Sequence, residues 1–467
     1  MKLQTKNTWI LITVCVFTFM SVLDSSIVNI ALPTISRELS ISLTHSEWIV
    51  SSYLLVICCS LLLFGKLGDT FGKAKIFKMG GILFIIGSAL CGFSTNLVML
   101  VIARIIQAIG SGMTMSNNNG IITETFPPNQ RGRALGMVGA FVSLGAITGP
   151  GLGGLLLAQF SWSSIFLVNV PIGILGVLLG YRVLPVHKRK MGETIDYLGF
   201  FLLSVTILSM YACIQFVQTG MILQLQVFLL FFLFLGSFLL FVYWEKKVAK
   251  PLLQLELFRT KIFSESLLSA FLVFISAFFY TMIMPFYLQD IKGYSPRNAG
   301  LIMMVFPIVQ VILAPVAGYL ADRYNKRYLT IVGLFLLTLG QISYFAWHLD
   351  TTLAVIIPSI ILSSVGNSLF QAPNNTVIMN AVDSKFLGIA GALNALARNL
   401  GMVLGVALST LILTVSITKM NGHAVSSLTA NPGYFVQGMH LAFGFSAVLC
   451  SIAFLLTLFA VRKKKKE

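Results

Sequence analysis

The sequence predicts an all-α polytopic membrane protein with fourteen transmembrane helices, and its composition, the length of its apolar runs and the placement of its charges support that prediction. Of the 467 residues, 57% are hydrophobic and only 10% are charged, whereas soluble globular domains carry about 25% charged residues. The apolar runs extend over about 18–25 residues, the length that a helix needs to cross a bilayer. A membrane barrel would instead show alternating segments of about ten residues.

The runs divide the chain into two groups of six helices separated by a pair. We expect an N-terminal six-helix bundle in residues 1–184 and a linker with two additional transmembrane helices in residues 185–261. A C-terminal six-helix bundle with a basic tail follows in residues 262–467. The predicted spans are 9–32, 47–64, 76–95, 98–122, 133–157, 163–184, 197–217, 222–244, 262–288, 298–321, 328–347, 352–376, 387–415 and 437–461.

The formal net charge of +17 follows membrane topology and does not indicate a nucleic-acid partner. Nearly all of the 32 Lys and Arg residues fall on the side of the membrane that holds both termini. This positive-inside bias predicts that both termini are cytoplasmic. The exceptions are Arg37, Lys292, Arg297 and Lys419 on the predicted external side, and Arg104 and Arg398 within spans.

Cysteine and histidine placement gives no sign of catalysis or of a metal site. All six cysteines lie within predicted spans, without metal-ligand company, and we interpret them as packing residues. No Ser/His/Asp, metal-ligand or phosphate-loop pattern is present. The sequence therefore predicts neither an enzyme nor a bound metal.

Two ionisable residues lie deep in the first bundle. Asp24 falls in the outer half of the first span, and Arg104 falls in the fourth. An arginine in a membrane is charged and needs a partner, and Asp24 is the only comparably deep acid of this half. Gln107, almost one helical turn from Arg104, extends the polar set. Asp24 is open to two interpretations, a purely structural ion pair or a carboxyl group that takes up and releases a proton.

The rest of the first span and the start of the second carry further polar and aromatic residues. Asn29 shares a helical face with Ser25 and points away from Asp24, so we assign it to helix packing. Pro33 is expected to end the helix. All five tryptophans fall near predicted span ends, as in an interfacial aromatic belt. Trp48 is one of them, and Trp48 and Tyr53 are candidates for lining a cavity. Glu47 is expected at the mouth of the span, in contact with solvent.

The segment GKLGDTFGKAK, residues 65–75, predicts a tight turn at the membrane surface. Gly65 and Gly72 permit the turn, and Asp69 is placed to interact with the positive N-terminal end of the next helix. Lys73 is able to pair across helices or with lipid phosphate. A simple basic turn is the alternative.

A glycine-rich stretch, GAITGPGLGG, lies inside the fifth span. Glycines four residues apart, Gly145 and Gly149, form a smooth ridge that lets another helix approach closely. Pro150 removes a backbone hydrogen bond and is expected to bend the helix, and Gly153 and Gly154 continue the small surface.

The second half of the chain repeats the first. GYLADRYNKRY at residues 318–328, with Asp322 and Arg323, matches the segment at 65–75, and two further matches occur at nearly the same separation. One of them pairs Gly401-xxx-Gly405 with Gly145-xxx-Gly149 and predicts that the glycine ridge lies at an interface between the halves. Two parallel halves around a central cavity are typical of transporters. Within the second half, Asn394 and Arg398 of span 13 are candidate cavity residues.

These motifs together resemble the major facilitator superfamily, and within it the fourteen-helix drug:proton antiporters of the QacA/EmrB type. LDSSIVNIALP is similar to the first-helix motif, with Asp24, Asn29 and Pro33 matching. The turn at 65–75 matches the loop motif, Arg104 and Gln107 match the fourth-helix motif, and GAITGPGLGG matches the antiporter motif in full. Thr70 replaces a common basic residue, and span 13 lacks the carboxylate that some relatives carry.

The resemblance implies a proton-coupled multidrug efflux antiporter that exports hydrophobic or cationic compounds by alternating access. Asp24 would bind the proton and Arg104 would pair with it, while the turns at 65–75 and 318–328 would latch the cytoplasmic side. The expected partners are a small-molecule substrate, protons and membrane lipids, with the proton gradient in place of a cofactor and a bacterial cell membrane as location. Two alternatives remain: a dedicated exporter of a tetracycline, lipid or anionic metabolite, and a transport-inactive membrane sensor.

Overall fold

The computed structural model describes residues 2–184, 196–218, 225–248, 251–383, 386–422 and 428–464. Within them, fourteen helical segments are long and apolar enough to cross a membrane, from Lys6–Glu38 to Pro432–Phe459. Each segment overlaps one predicted span, which confirms the all-α polytopic fold. The start of the predicted linker, residues 185–195, lies outside the described residues.

The first half of the chain forms seven α-helices that make six membrane segments, because α6 and α7 together form one. Polar caps set two of the helix starts: Ser42 accepts a hydrogen bond from the amide of His45, and Asn96 accepts one from Met99. The helices are α1 (Lys2–Glu38), α2 (Leu43–Phe71), α3 (Lys73–Gly92), α4 (Leu97–Thr125), α5 (Pro128–Gln159), α6 (Ser164–Leu167) and α7 (Asn169–Val183).

Two helices follow, α8 (Tyr197–Gln218) and α9 (Leu225–Lys247), and then a 3₁₀ turn at Leu255–Arg259. The second half forms six further membrane segments, of which one combines α11 and α12. Its helices are α10 (Lys261–Phe286), α11 (Pro296–Met303), α12 (Val305–Arg323), α13 (Lys326–Ser343), α14 (Leu353–Asn380), α15 (Leu387–Asn421) and α16 (Pro432–Lys464). A π-helical turn at Tyr287–Ile291 extends α10, and a 3₁₀ turn at Tyr344–Ala346 extends α13.

The two halves use the same packing scheme. In the first half α5 packs along α1 and α4 packs against α2 and α3, while in the second half α15 packs along α10 and α14 packs against α12 and α13. The halves meet along α5–α11 and α2–α15. The inserted helix α8 packs against α2 and α15, so it covers one of these two seams, and α9 lies outside it with mostly exposed side chains.

The contacts between the halves concentrate at one end of the molecule. We call the end where α1 begins and α16 ends the terminal face, and the other end the opposite face. At the opposite face Gln289 donates a hydrogen bond to the carbonyl of Ile30 over 2.8 Å, and Arg37 lies 3.8 Å from Asp290. Near the terminal end of α5, a Cβ atom added at Gly136 would meet no atom within 4 Å. The molecule is therefore closed at the opposite face, and the halves part toward the terminal face.

Three expectations about local structure are wrong. The first helix continues through Pro33 to Glu38, because neighbouring helices can satisfy the backbone groups that a proline frees in a membrane protein. The segment at 65–75 is not a loop: only Gly72, at φ +100°, separates α2 from α3. A left-handed backbone of this kind favours glycine. Trp162 and Trp347 are buried at 5% and 0% exposure, so the predicted aromatic belt does not include them.

Candidate functional site

The two deep ionisable residues of the first half form one ion pair. Nη1 of Arg104 lies 2.6 Å from Oδ2 of Asp24, and neither side chain is more than 1% exposed. α4 contacts both α1, which carries Asp24, and α2, which carries the aromatic ring on which Arg104 rests. The guanidinium lies 4.1 Å from the ring centroid of Tyr53, and its Nε donates to the carbonyl of Ile49 over 3.0 Å. A buried arginine with a carboxylate, a carbonyl and a ring face has little freedom to move.

Asp24 accepts hydrogen bonds from two amides as well. Nε2 of Gln107 donates to its Oδ1 over 2.7 Å, and Nδ2 of Asn169 donates to the same atom over 3.0 Å. Gln107 also donates to Ser88 over 2.8 Å and accepts from Arg104 over 2.6 Å. We call Asp24, Arg104, Gln107, Asn169 and Ser88 the Asp24 cluster. It joins α1, α3, α4 and α7.

Sequence reasoning identified three members of this cluster and missed two. Asn169 and Ser88 come from helices whose neighbours the sequence does not reveal. Asn169 did carry a usable signal, because it is an amide two residues before Pro171 in an otherwise apolar run. A buried amide needs a partner, and Asp24 has the only carboxylate that the described structure places beside it.

The structure corrects the expectations for the start of α2. Glu47 is not solvated but fully buried: the hydroxyl of Tyr211 lies 2.8 Å from its Oε1, and Gln215 of α8 donates a hydrogen bond to it. Tyr53 is 2% exposed, and its hydroxyl donates to Ser111 over 2.8 Å. Trp48 packs edge-on against Tyr211 at 5.2 Å between ring centroids. In this conformation Tyr53 therefore offers no cavity surface, and Trp48 contacts the inserted helix.

The structure brings the turn motif into one local ion network. Nζ of Lys73, the first residue of α3, lies 2.8 Å from Asp69 and 2.6 Å from Glu124 of α4. A Cβ atom at Gly68 would overlap the Asn117 side chain, so α2 and α4 touch here. Asp69 thus pairs with Lys73 across the Gly72 break, and these contacts stay within the first half.

The remaining motif residues lie apart from the Asp24 cluster. Asn29 donates to the carbonyl of Ser25 over 2.9 Å on its own helix. Gly65 faces Ser116, with 4.0 Å to the Cβ position. In the second half, the guanidinium of Arg323 lies over the Tyr319 ring at 4.9 Å. The side chain of Asp322 is outside the described structure.

The glycine ridge packs within its own half, which corrects its expected place between the halves. Cβ atoms at Gly145, Gly149 and Gly153 would collide with α1, the second of them with Ser26. Gly401 and Gly405 pack against α10 in the same way. The repeated ridge therefore fixes α5 on α1 and α15 on α10.

A second glycine face of α5 makes the contact between the halves. A Cβ atom at Gly154 would lie 2.6 Å from the carbonyl oxygen of Pro296, and one at Gly300 would lie 2.3 Å from the carbonyl oxygen of Pro150. Gly151 faces Met304 on the same side. The helix α5 runs unbroken through Pro150, and the close approach of Gly300 to the carbonyl of Pro150 places this proline at the seam with α11.

Two polar residues of α15 share a face of that helix. Asn394 donates to Asn375 of α14 over 3.0 Å. The Nε atom of Arg398 is buried and has no hydrogen-bond partner among the described residues. Within the described residues no salt bridge joins Arg398 to a carboxylate, in contrast to the pair that Arg104 forms with Asp24.

The Asp24 cluster is a closed, charge-balanced site. Asp24 as a carboxylate accepts three donors and neutralises Arg104. Loss of the negative charge on Asp24 would leave Arg104 buried without a counter-ion, which is costly in a low-dielectric interior. A change in that charge would therefore require movement of α1 against α4 or another partner for Arg104. This arrangement links a charge state to helix packing.

Within the described residues, two alike halves of six membrane segments each, an inserted pair of helices, a buried charge pair and an opening at one end define a membrane transporter. The family comparison agrees: a family model described as Major Facilitator Superfamily matches residues 14–406 and 266–467. The chain belongs to the Major Facilitator Superfamily.

The related proteins are transporters from bacteria. The chain is 33% identical over 469 residues to the riboflavin transporter RibZ of Clostridioides difficile (strain 630), covering 99% of each chain. It is 30% identical over 392 residues to the multidrug resistance protein Stp of Mycobacterium tuberculosis (strain CDC 1551 / Oshkosh), covering 83% of this chain and 72% of that one. These relatives and the apolar helices indicate a multi-pass membrane protein of a bacterium.

A solved structure supports the fold. A bacterial homologue of the human lysosomal transporter Spinster, in an inward-facing and occupied conformation, superposes with a TM-score of 0.68 at 16% identity, covering 97% of each chain. This likeness concerns the fold alone. The family and the named relatives point to transport across a membrane.

Proposed function

We propose that this protein is a proton-coupled efflux antiporter that exports hydrophobic or cationic small molecules by alternating access. The buried Asp24–Arg104 pair carries the proposal. Its two charges balance each other in the conformation closed at the opposite face, and any change in the protonation of Asp24 disturbs that balance. Proton binding and release at Asp24 would then bias the molecule between its two conformations.

Each part of the remaining motif set has a place in this proposal. The terminal face is cytoplasmic, so the conformation seen here would accept a compound from the cytoplasm. The Asp69–Lys73–Glu124 network and the corresponding α12–α13 turn would help close that face in the other conformation. Membrane lipid and the proton gradient are the other requirements, and no cofactor is involved. Relatives named as multidrug resistance proteins favour export.

The first test is Asp24→Asn in everted membrane vesicles. Substrate addition is read as proton release across a panel of cationic, neutral and anionic compounds. We expect the variant to insert normally and to lose efflux driven by a pH gradient, because Asn cannot bind and release a proton. Asp350→Asn, an exposed acid in a loop, is the matched control. Full activity of Asp24→Asn would remove the coupling role, and a silent panel with the wild-type protein would favour a sensor.

A second candidate substrate class is an aromatic metabolite such as a flavin, in particular one that carries an anionic group. Two observations favour it: the alignment with RibZ over the whole chain, and Arg398, whose Nε atom lacks a partner in the described structure. A guanidinium without a carboxylate is suited to bind an anionic group of a ligand.

Arg398→Ala separates the two candidates. If Arg398 binds the cargo, transport of anionic compounds, including riboflavin phosphate, should fall while transport of cationic compounds persists. Competition assays with riboflavin, riboflavin phosphate and a lipophilic cation give the comparison. Equal effects on all three compounds would count against an anionic cargo bound at Arg398.

A further inference from the structure

A second buried carboxyl group lies outside the Asp24 cluster. Glu47, near the start of α2, is 0% exposed and lies at the seam where the two halves and the inserted helix α8 meet. Tyr211, Gln215 and Gln218 of α8 surround it, and Thr410 of α15, whose hydroxyl donates to the carbonyl of Val406, lies beside it. One carboxyl group thus joins the first half, the inserted pair and the second half.

No cation balances this carboxyl group within the described structure. No salt bridge links Glu47 to a lysine or arginine among the described residues. Arg104, which α4 presents to α2 beside Ile49, pairs with Asp24, and Cys91 of α3 contacts Gln107. Lys73, which α3 presents toward the other end of α2, pairs with Asp69 and Glu124. The titratable group that faces Glu47 from α8 is Tyr211, and α15 presents Thr410. On α2 itself, His45 is exposed and contacts Ser42. An ionised Glu47 would therefore be a buried, unpaired charge, which is costly.

Around Glu47, three short oxygen–oxygen contacts involve the hydroxyl groups of Ser51 and Tyr211, but these two groups carry only two protons. The Ser51 hydroxyl lies 2.8 Å from the backbone carbonyl oxygen of Glu47. The Tyr211 hydroxyl lies 2.6 Å from the Ser51 hydroxyl and 2.8 Å from Oε1 of Glu47. Each of these three oxygen–oxygen contacts needs a proton. Ser51 and Tyr211 supply one each, and a backbone carbonyl supplies none.

A proton on Glu47 completes the set. Ser51 then donates to the carbonyl, Tyr211 donates to Ser51, and the Glu47 acid donates to Tyr211. The two protons of the Gln215 amide go to Tyr211, over 2.9 Å, and to Glu47. The Tyr211 oxygen then donates once and accepts twice, which matches its capacity.

We propose that Glu47 is a second proton-binding site, protonated while the α2–α15 seam is closed at the opposite face and deprotonated when that seam opens to water. Opening moves Thr410 and the second half away from Glu47 and lets water reach the carboxyl group, which favours the ionised form. By linkage, low pH stabilises the closed opposite face, and this stabilisation is lost as the pH rises through the titration of Glu47. The role of this switch in transport rests on the proposed antiport, whereas its protonation and its effect on the seam do not.

Infrared difference spectroscopy of the purified full-length protein tests the protonation. We expect the carbonyl band of a protonated carboxylic acid in the wild-type protein, its loss in Glu47→Gln, and its persistence in Asp24→Asn and in the control Asp350→Asn. Tyr211→Phe removes the acceptor and should shift the same band while leaving its intensity, which keeps the test usable if Glu47→Gln fails to fold. A wild-type spectrum without a band that responds to Glu47→Gln or Tyr211→Phe would overturn the proposal.

Spin-label distances test the coupling to the seam. Labels at Glu38→Cys and Lys419→Cys, both at exposed positions, report the separation of the halves at the opposite face over a pH series. We expect the short-distance population to fall as the pH rises and to persist in Glu47→Gln, whose amide cannot ionise. An unchanged pH response in Glu47→Gln would contradict the proposal. If Asp24→Asn loses transport but keeps this pH response, the two proton sites are separate. If the wild-type protein shows the pH response but transports none of the compounds, the proposed function fails and the proposed switch at Glu47 remains.

Discussion

The buried ion pair of the first half illustrates what a single residue can require of a fold. Arg104 is always charged, so a position inside an apolar bundle forces a counter-ion, a carbonyl and a ring face around it. The structure supplies all three in Asp24, Ile49 and Tyr53. Such a pair contributes little net stability over apolar residues, but breaking it is costly because one charge stays buried.

Removing one charge of the pair is more costly than removing both, and this difference predicts the outcome of a double-mutant cycle. Arg104→Gln should destabilise the protein by about 3–5 kcal/mol, since it leaves the fully buried Asp24 without a cation. Asp24→Asn combined with Arg104→Gln should recover much of that loss, because the double variant buries amides alone. Thermal unfolding in detergent measures both, with the exposed Arg259→Gln as control. Equal unfolding midpoints for the single and the double variant would contradict this account.

The same cluster shows which contacts the sequence can predict. Asp24 and Arg104 were predictable partners, because a buried arginine needs an acid and only one deep acid was recognised in that half. Glu47 escaped recognition because it lies next to a tryptophan at a predicted span end, where acids are usually solvated. Its burial depends on α8, and no local pattern in α2 reveals that an inserted helix covers this position.

At the scale of helices, α5 presents two glycine faces with different partners. The face with Gly145, Gly149 and Gly153 packs on α1, and the face with Gly151 and Gly154 packs at the seam with the second half. Four-residue spacing indicates that some helix approaches closely, and that part of the prediction agrees with the observed packing. The spacing does not specify which helix approaches, so the ridge was placed at the wrong interface.

Some glycines of α5 pack tightly against another helix and others face open space, and this difference gives a prediction with an internal control. In Gly149→Ala the new Cβ would lie 2.6 Å from Cβ of Ser26 and 3.0 Å from the backbone nitrogen of Ile27, so α5 and α1 must separate. We expect a clear loss of thermal stability. Gly139→Ala adds a methyl group where no atom lies within 4 Å, and it should be neutral or stabilise by about 0.5–1 kcal/mol, the usual helical preference for Ala over Gly. Equal unfolding midpoints for the two variants would contradict the assigned packing.

At the scale of the whole molecule, fold and topology follow from composition, whereas the conformation does not. Spans of sufficient apolar length and a biased distribution of Lys and Arg predict the number of helices and the orientation. Which end is closed depends on small differences between two packings of the same helices. Here the opposite face is closed by contacts such as that between Gln289 and the Ile30 carbonyl, and these polar groups lie far apart in the sequence.

Orientation and conformation together predict a pattern of chemical labelling. Single cysteines are placed at Asn298 on the opposite face and at Gln130 near the terminal face, both exposed, and at Gly151 in the seam. A membrane-impermeant maleimide applied to intact cells should label Asn298→Cys alone. After permeabilisation it should also label Gln130→Cys, while Gly151→Cys stays protected, because the flexible side chain of Met304 covers that position. The wild-type protein, whose six free thiols lie within membrane helices, gives the background. Labelling of Gln130→Cys in intact cells would reverse the orientation, and rapid labelling of Gly151→Cys from outside would mean that the opposite face is open at rest.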